Sequence, residues 1–456
     1  MTKVNFVILA AGKGTRMRSA IPKVLHKVSG RSMLGHVVAA VESLGKAKKI
    51  IVTGHGAEQV EQQFKSPTTI FTQQKEQLGT GHAVQMAIPA LCSDAVVIVL
   101  YGDVPLIRPS TIEKILDVVT DTTMGLLTIN LENPQGYGRI VRNGQQEITE
   151  IIEQKDASVE QLKITEVNTG VLALRSTQLR EWLPKITNNN AQGEYYLTDL
   201  VAIAWAEGVE VISVNPESAT EVEGVNNRIQ LSQLERAHQR QLAEVLMESG
   251  TSLADPARFD QRGELNAGTD NFIDINCVFE GSVSIGNNVS IGANCHIINS
   301  TIGDDVAILP NTIIESSVVG DRAVIGPFAR LRPGTELGSD TKVGNFVETK
   351  KAVVGKGSKI NHLSYVGDAQ LGENVNIGAG TITCNYDGVS KHKTDLGDGV
   401  FVGSNSTLVA PIKVDKGGFV AAGSTVTSEV PSDSLAVGRA KQRNIKGWKR
   451  PTKKEV

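Results

Sequence analysis

Between residues 273 and 427 an aliphatic residue, often followed by Gly, returns every six positions. The register runs through Ile285-Gly286, Ile291-Gly292 and Ile297, slips once to Ile302-Gly303, and resumes at Val319-Gly320, Ile325-Gly326, Leu331, Leu337-Gly338 and Val343-Gly344. It then passes Ile360, Val366-Gly367, Ile377-Gly378 and Val402-Gly403 and ends at Val426. A helix repeats its apolar positions every ~3.6 residues and a flat strand every ~2, so six fits neither. It fits a parallel β-helix, one short strand and one turn per repeat, with the aliphatic side chain pointing inward. Three repeats per triangular coil predict roughly eight or nine coils over this span. Residues 384–396 (CNYDGVSKHKTDL) overrun a six-residue turn and are expected to protrude, as a functional loop or a neutral insertion.

Residues 1–226 instead alternate apolar runs with helical patterns, the mark of βαβ units around a mainly parallel sheet. Buried strands are expected at 5–10, 49–53 and 95–101, with crossover helices at 32–44 and 109–119. Arg228–Glu248 contains neither Gly nor Pro and spaces Leu231, Leu234, Leu242, Val245 and Leu246 along one helix, stopped by Gly250. The chain is therefore expected to divide into residues 1–227, a helical linker 228–250, and residues 251–456.

Composition narrows the class of function. The 46 basic and 49 acidic side chains nearly cancel, so no global field recruits nucleic acid or membrane. Cys92, Cys277, Cys295 and Cys384 lie far apart with no C-x-x-C pair, which excludes a zinc finger or a disulfide framework and suits the cytoplasm. The apolar run 6–11 is short and followed by its charges, a strand rather than a signal peptide, and no stretch approaches the ~18–20 apolar residues a membrane span needs. The tail 441–456 carries Lys441, Arg443, Lys446, Lys449, Arg450, Lys453 and Lys454, either solvated or touching an anionic ligand or neighbouring subunit.

The strand at 5–10 runs into Ala11-Gly12-Lys13-Gly14-Thr15-Arg16-Met17, then Pro22-Lys23. A Gly-rich turn there exposes backbone N–H groups to phosphate. The pattern is neither G-x-G-x-x-G nor G-x-x-x-x-G-K-[ST], so dehydrogenase and P-loop chemistry are excluded. Arg16 and Lys23, close behind, suit a triphosphate. Tyr101-Gly102-Asp103-Val104-Pro105 closes the strand at 95–101, placing Asp103 either in the ligand crevice or merely at a turn. Together these segments resemble the sugar-1-phosphate nucleotidylyltransferases, a family with a Rossmann-like fold. The resemblance implies that Arg16 and Lys23 are catalytic. It also implies that UTP and the UDP-sugar are bound by Leu9, Ala10, Ala11, Gly12, Lys23, Gln74, Gly79, Thr80, Tyr101, Gly102, Asp103, Gly138, Glu153, Asn168 and Asn226. Asp103 and Asn226 would hold Mg²⁺ in an all-oxygen site.

In the repeat region, Arg332 and Lys350 are 18 positions apart and should stack on adjacent coils, whereas His362, 12 beyond Lys350, should lie on another face or corner. By itself a lone His on a solenoid, as His362 is, is more often a solvated turn residue than a base. Its surroundings, with Gly378-Ala379-Gly380-Thr381 and Asn385-Tyr386-Asp387-Gly388, resemble the glucosamine-1-phosphate N-acetyltransferase domain. By that resemblance Arg332, Lys350, Tyr365 and Asn376 bind glucosamine-1-phosphate and His362 is the general base. Ala379, Asn385, Tyr386, Ser404, Ala422 and Arg439 would line the acetyl-CoA groove, and Glu348 is expected to orient His362. Imidazole is a suitable base for this step near neutral pH.

Taken whole, the chain resembles a family of bacterial bifunctional enzymes joining the two domains: an α/β nucleotidylyltransferase domain, a linking helix, and a left-handed parallel β-helix of hexapeptide repeats. The resemblance implies acetylation of glucosamine-1-phosphate, then uridylyl transfer from UTP to N-acetylglucosamine-1-phosphate, in a cytoplasmic homotrimer that uses no nucleic acid partner and no membrane insertion. Two rivals stay open: a nucleotidylyltransferase for another sugar with a regulatory β-helix, and a non-enzymatic scaffold.

Overall fold

The computed structural model describes residues 3–45 and 48–451, so Lys453 and Lys454 of the basic tail lie outside the described residues. The chain forms two compact units, Met1–His238 and Gln239–Val456.

The first unit is built on a nine-stranded sheet. Its order is Glu210–Val214, Thr123–Asn130, Glu166–Arg175, Val96–Tyr101, Val4–Ala10, Lys48–Thr53 and Thr69–Gln73, and the hairpin Arg139–Arg142/Ile148–Ile152 joins at Glu166–Arg175. Pairings are parallel except those of Glu166–Arg175 and the hairpin. Val4–Ala10 shows why the apolar run folds this way. Phe6, Ile8 and Ala10 pack with Leu34, Val37 and Val41 of helix Met33–Ser43 and with Ile112 and Ile115 of helix Pro109–Asp117. Val7, Leu9 and Ala11 face helix Thr80–Ala87 in a buried cluster with its Ala83, Val84 and Ala87, and the same layer continues to Leu200, Val201 and Ala204 of helix Asp199–Ala206 over the strands Ile148–Ile152 and Glu210–Val214. Alternate side chains thus face opposite helical layers, each burial worth about 1.5–3 kcal/mol for a large aliphatic.

The expected strands and helices are present with ends shifted by a residue or two. Ser32 is the N-cap of its helix rather than its first residue, its Oγ accepting from Gly35 N–H at 3.2 Å, and Pro109 opens a helix that stops at Asp117. Because Val4–Ala10 has parallel neighbours on both sides, the loops at its carboxyl end and that of Val96–Tyr101 open into one crevice. The helix Arg228–Glu248 is unbroken, and Gly250 after it adopts φ 104°.

The second unit is a left-handed parallel β-helix. One face is an eleven-stranded parallel ladder from Thr251–Leu253 to Leu435–Ala436, and a fifteen-stranded sheet supplies the others. Ile291, Ile308, Ile325, Val343, Ile360, Ile377, Val402 and Val420 are successive ladder partners and form one buried column. The solenoid is longer than the span 273–427 that the period predicts. Its first coils turn polar residues inward: Asn271 is buried, donates to the Gly268 and Gly286 carbonyls at 2.9 Å, and accepts from Val289 N–H at 2.7 Å. A satisfied amide there serves as well as an aliphatic but breaks the pattern. Ile377 and its partner Val402 are 25 positions apart, against 18 for Val402 and Val420, because residues 385–393 are inserted between the coil strands Ile382–Cys384 and Thr394–Leu396; the protrusion is shorter than the expected 384–396, whose two ends pair within the coils.

One corner of each coil holds a left-handed residue. Asn276, Asn294 and Asn311 take φ 59–61° there, their amides linked at 3.0 and 3.2 Å. The next three coils place Phe328, Phe346 and Leu363 at φ 55°, 54° and 48°, all exposed, with the Phe rings stacked at 5.3 Å. A bulky apolar residue is disfavoured at such φ, so stability of the single chain does not explain this column.

Candidate active sites

The first crevice is built from the glycine turn outward. Gly12 is open, with nothing within 4 Å of an added Cβ, leaving its backbone accessible. Gly14 adopts φ 60°, and a Cβ there would fall 2.7 Å from Lys23 Cβ, so only glycine lets Lys23 approach. Lys23 Nζ pairs with Asp103 Oδ2 and lies 3.2 Å from Asn226 Oδ1. The Gly102 N–H donates to the Leu9 carbonyl at 2.9 Å and Val225 N–H to the Asp103 carbonyl at 3.0 Å, which fixes the three segments together. A carboxylate and an amide oxygen therefore converge on one cationic point, a hard-donor pair that fits Mg²⁺ with substrate oxygens and water completing the shell.

The cleft is lined by Leu9, Ala10, Ala11, Gly12, Lys23, Gln74, Gly79, Thr80, Tyr101 and Asp103 of the expected set, and by Val24, Gln77, Ala83 and Glu194, which no motif marks. Buried Gln74 donates to the Gly79 carbonyl at 3.0 Å and meets His82 Nδ1 at 3.1 Å, so its amide is held rigidly. The remaining positions gather round Tyr101. Gly170 lies so close that its Cβ would stand 2.6 Å from that ring, and Asn168 is tied to the Gly138 carbonyl and to Gly170 N–H, both at 2.9 Å. Burial raises the Glu153 pKa, although Thr198 donates to it at 3.1 Å. Burial, then the charges of Glu153 and Asp103, push the Tyr101 phenol far up, keeping it a neutral donor. Arg16 stands apart: it is exposed on the turn Thr15–Met17 and does not line the cleft.

On the β-helix, Arg332 and Lys350 stack on adjacent coils, the Arg332 N–H donating to the Thr349 carbonyl at 2.9 Å. Glu348 does not orient His362. It accepts from Arg332 at 2.7 Å and pairs with Tyr365 in the ladder, on a face other than that of His362. His362 instead pairs with Asn345 one coil earlier, Nδ1 to Oδ1 at 2.9 Å. With that oxygen accepting, the proton sits on Nδ1 and Nε2 keeps its lone pair. Asn345 was open to discovery by coil arithmetic, since the 17-residue step also aligns Lys342 with Lys359.

A second residue missed by motif is Lys391, in the protruding loop. It lies against Lys350 and, with Arg332, holds the Lys350 pKa down by like-charge repulsion. Three cations thus converge where one anion would relieve them. The loop is anchored by Asn385, which donates to Asp368 and stands 3.5 Å from the Tyr365 hydroxyl. Tyr386 is exposed and bonded within the loop to the Gly388 carbonyl. Asn376 lies between Lys359 and Phe401 on the ladder that carries His362. From the His362 corner a column continues coil by coil: Gly380 N–H to the His362 carbonyl at 3.3 Å, Asn405 N–H to Ala379 at 2.7 Å, Gly423 N–H to Ser404 at 2.8 Å. Ala422 sits within it, and Arg439 Cδ lies 4.0 Å from a Cβ built on Gly423.

Residues 6–140 match the MobA-like NTP transferase domain, residues 263–345 the GMPPB C-terminal domain, and residues 394–428 the hexapeptide repeat of succinyl-transferase. The chain is 59% identical over 453 residues to the bifunctional protein GlmU of Marinobacter nauticus, covering 99% of this chain and all of that one. It is 55% identical over 451 residues to the bifunctional protein GlmU of Cellvibrio japonicus, with the same coverage. A solved UDP-glucose pyrophosphorylase in complex with UDP-glucose aligns over 53% of this chain and all of its own, at 17% identity and a TM-score of 0.44.

Proposed function

The chain belongs to the bifunctional GlmU family, and from that premise we propose how its two centres work. It is a bifunctional transferase that acetylates glucosamine-1-phosphate from acetyl-CoA and joins N-acetylglucosamine-1-phosphate to UMP from UTP. The pairing of Lys23, Asp103 and Asn226 beside an open glycine turn supports the uridylyl site, and the Asn345–His362 pair beside three cations supports the acetyl site.

In uridylyl transfer a phosphate oxygen of the sugar-1-phosphate bonds to the α-phosphorus of UTP while the bond to the β-phosphate oxygen breaks and pyrophosphate leaves. The nucleophile is already an anion, so the site needs alignment and charge neutralisation rather than a base. Lys23 exchanges Asp103 for the triphosphate, backbone N–H groups at the glycine turn meet phosphate oxygens, and Gln74 faces the base. Asp103 and Asn226 hold Mg²⁺, which supplies charge neutralisation at the phosphates when bound. Glu153 and Asn168 contact the sugar, and Arg16 closes on the phosphates from the rim.

In acetyl transfer the neutral amine of glucosamine-1-phosphate attacks the thioester carbonyl, His362 Nε2 takes the amine proton, and the C–S bond breaks as that proton passes from His362 to the sulfur, releasing the CoA thiol. Arg332, Lys350 and Lys391 bind the sugar phosphate, Tyr365 and Asn376 the sugar, and the column Ala379, Ser404, Ala422 with Asn385, Tyr386 and Arg439 carries CoA. The β-helix assembles as a homotrimer: a neighbouring copy covers Phe328, Phe346 and Leu363, which border His362 and are otherwise exposed at strained φ. The enzyme works in the cytoplasm; among the described residues no helix is long and apolar enough to cross a membrane. Asp103→Ala should abolish uridylyl transfer and spare acetyl transfer, and His362→Ala the reverse. Loss of both activities in either variant, with the fold intact, contradicts two independent centres.

A further inference from the structure

Residues 225–228 are tied at every position. Besides the Val225 bond to Asp103, the Asn226 N–H donates to Gln230 Oε1 at 2.8 Å. Asn227 Oδ1 accepts from the N–H groups of Ile229 and Gln230 at 2.9 Å, and Arg228 Nε donates to the Met17 carbonyl at 3.1 Å. Asn227 therefore caps the helix Arg228–Glu248, and Gln230, three residues on, reaches back as the partner in a capping box would. It engages one residue further out, Asn226. A cap serving only the helix would bond Asn227. This one lands on the backbone of the residue whose side-chain oxygen faces Lys23 beside Asp103. Gln230 also borders a cleft with Tyr137, Glu223 and Gln233, so a side chain of equal size fits there.

We propose that Gln230 is a positioning residue for divalent-cation binding, acting through the Asn226 peptide; this rests on the assignment of Asp103 and Asn226 as cation ligands. Mg²⁺ demands near-octahedral oxygens at ~2.0–2.1 Å, so a modest rotation of the Asn226 peptide takes its Oδ1 off the coordination sphere. Removing the Gln230 acceptor leaves the Asn226 N–H without its partner and frees that rotation.

The test uses the full chain, Mn²⁺ as the probe and saturating UDP-N-acetylglucosamine, with bound Mn²⁺ read by electron paramagnetic resonance. Gln230→Met, equal in size without the acceptor, should weaken Mn²⁺ binding about tenfold, as loss of an outer-shell partner typically does. Gln230→Glu, which keeps an acceptor oxygen, should stay within about threefold of the parent. Tm and acetyl transfer should match the parent in both. Parent-like Mn²⁺ affinity in Gln230→Met overturns the proposal, as does a fall in Tm with affinity unchanged. If the parent and Asp103→Ala bind Mn²⁺ alike, the ligand assignment itself fails, and the role of Gln230 with it.

Discussion

Lys391→Met is the sharpest perturbation of the acetyl site because its effects on function and on stability have opposite signs. Lys391 crowds Lys350, and together with Arg332 it depresses the Lys350 pKa; Glu348 compensates Arg332, at 2.7 Å, and Asp368 offsets only part of the repulsion at Lys350. In the free protein this clustering is repulsive, so removing one cation should leave Tm unchanged or slightly higher. With a phosphate dianion bound, the same cations become partners. Loss of one charge-assisted hydrogen bond should raise KM for glucosamine-1-phosphate by roughly 10–100-fold. Because the phosphate is remote from the bond being made, kcat should fall much less, the signature of uniform binding lost. The assay is thiol release from acetyl-CoA at varied sugar phosphate, beside a thermal melt. Salt should raise the parent KM more than that of the variant, since one fewer exposed charge is screened. A KM within twofold of the parent, or a Tm lower by several degrees, would refute the cluster as a phosphate site.

Asn345→Ala should lower acetyl transfer by about 10–100-fold at a normal KM by freeing the His362 ring, while His362→Ala costs about 10²–10⁴-fold; equal rates for Asn345→Ala and parent would remove the pair from the chemistry. Gly14→Ala should cut uridylyl transfer strongly and leave acetyl transfer intact, because its Cβ would stand 2.7 Å from Lys23 Cβ at φ 60°; full uridylyl activity would mean that Lys23 need not sit there. Burial, then Asp156, push Asp199 up to about 6. A carboxyl raised in the folded state contributes stability that is lost as pH rises through that value. The Tm difference between Asp199→Asn and the parent should therefore shift in favour of the variant from pH 5 to 7.5. The shift should be about 2–4 °C, for ~1 kcal/mol after discounting partial exposure, and a difference flat with pH would contradict it.

What the sequence made legible has a physical basis in repetition. Ile325, Val343 and Ile360 recur because each coil buries the same inward position, and the glycine turn shows because Gly14 must take a left-handed φ against Lys23. Where a coil buries a bonded polar group instead, as at Asn271, the pattern vanishes and the solenoid reads short. Asn345 and Lys391 escaped for a related reason. Coil steps are 17 residues in some coils and 18 in others, in no regular order, so the residue above His362 depends on counting slips, and Lys391 reaches Lys350 from an insertion with no repeat register. Glu348 is closer than Asn345 to His362 along the chain but pairs with Arg332 on the adjacent coil of another sheet. Gln230 acts through one backbone N–H, a contact that leaves no mark on residue type.

Chromatographic product analysis decides whether two transferase centres in one chain act in sequence. The purified protein is given glucosamine-1-phosphate, acetyl-CoA, UTP and Mg²⁺, with each omitted in turn. UDP-N-acetylglucosamine should form only when all four are present, and N-acetylglucosamine-1-phosphate should accumulate when UTP is left out. Pyrophosphate release from glucosamine-1-phosphate and UTP without acetyl-CoA would contradict the order, and no acetylated sugar under any condition would contradict the β-helix centre.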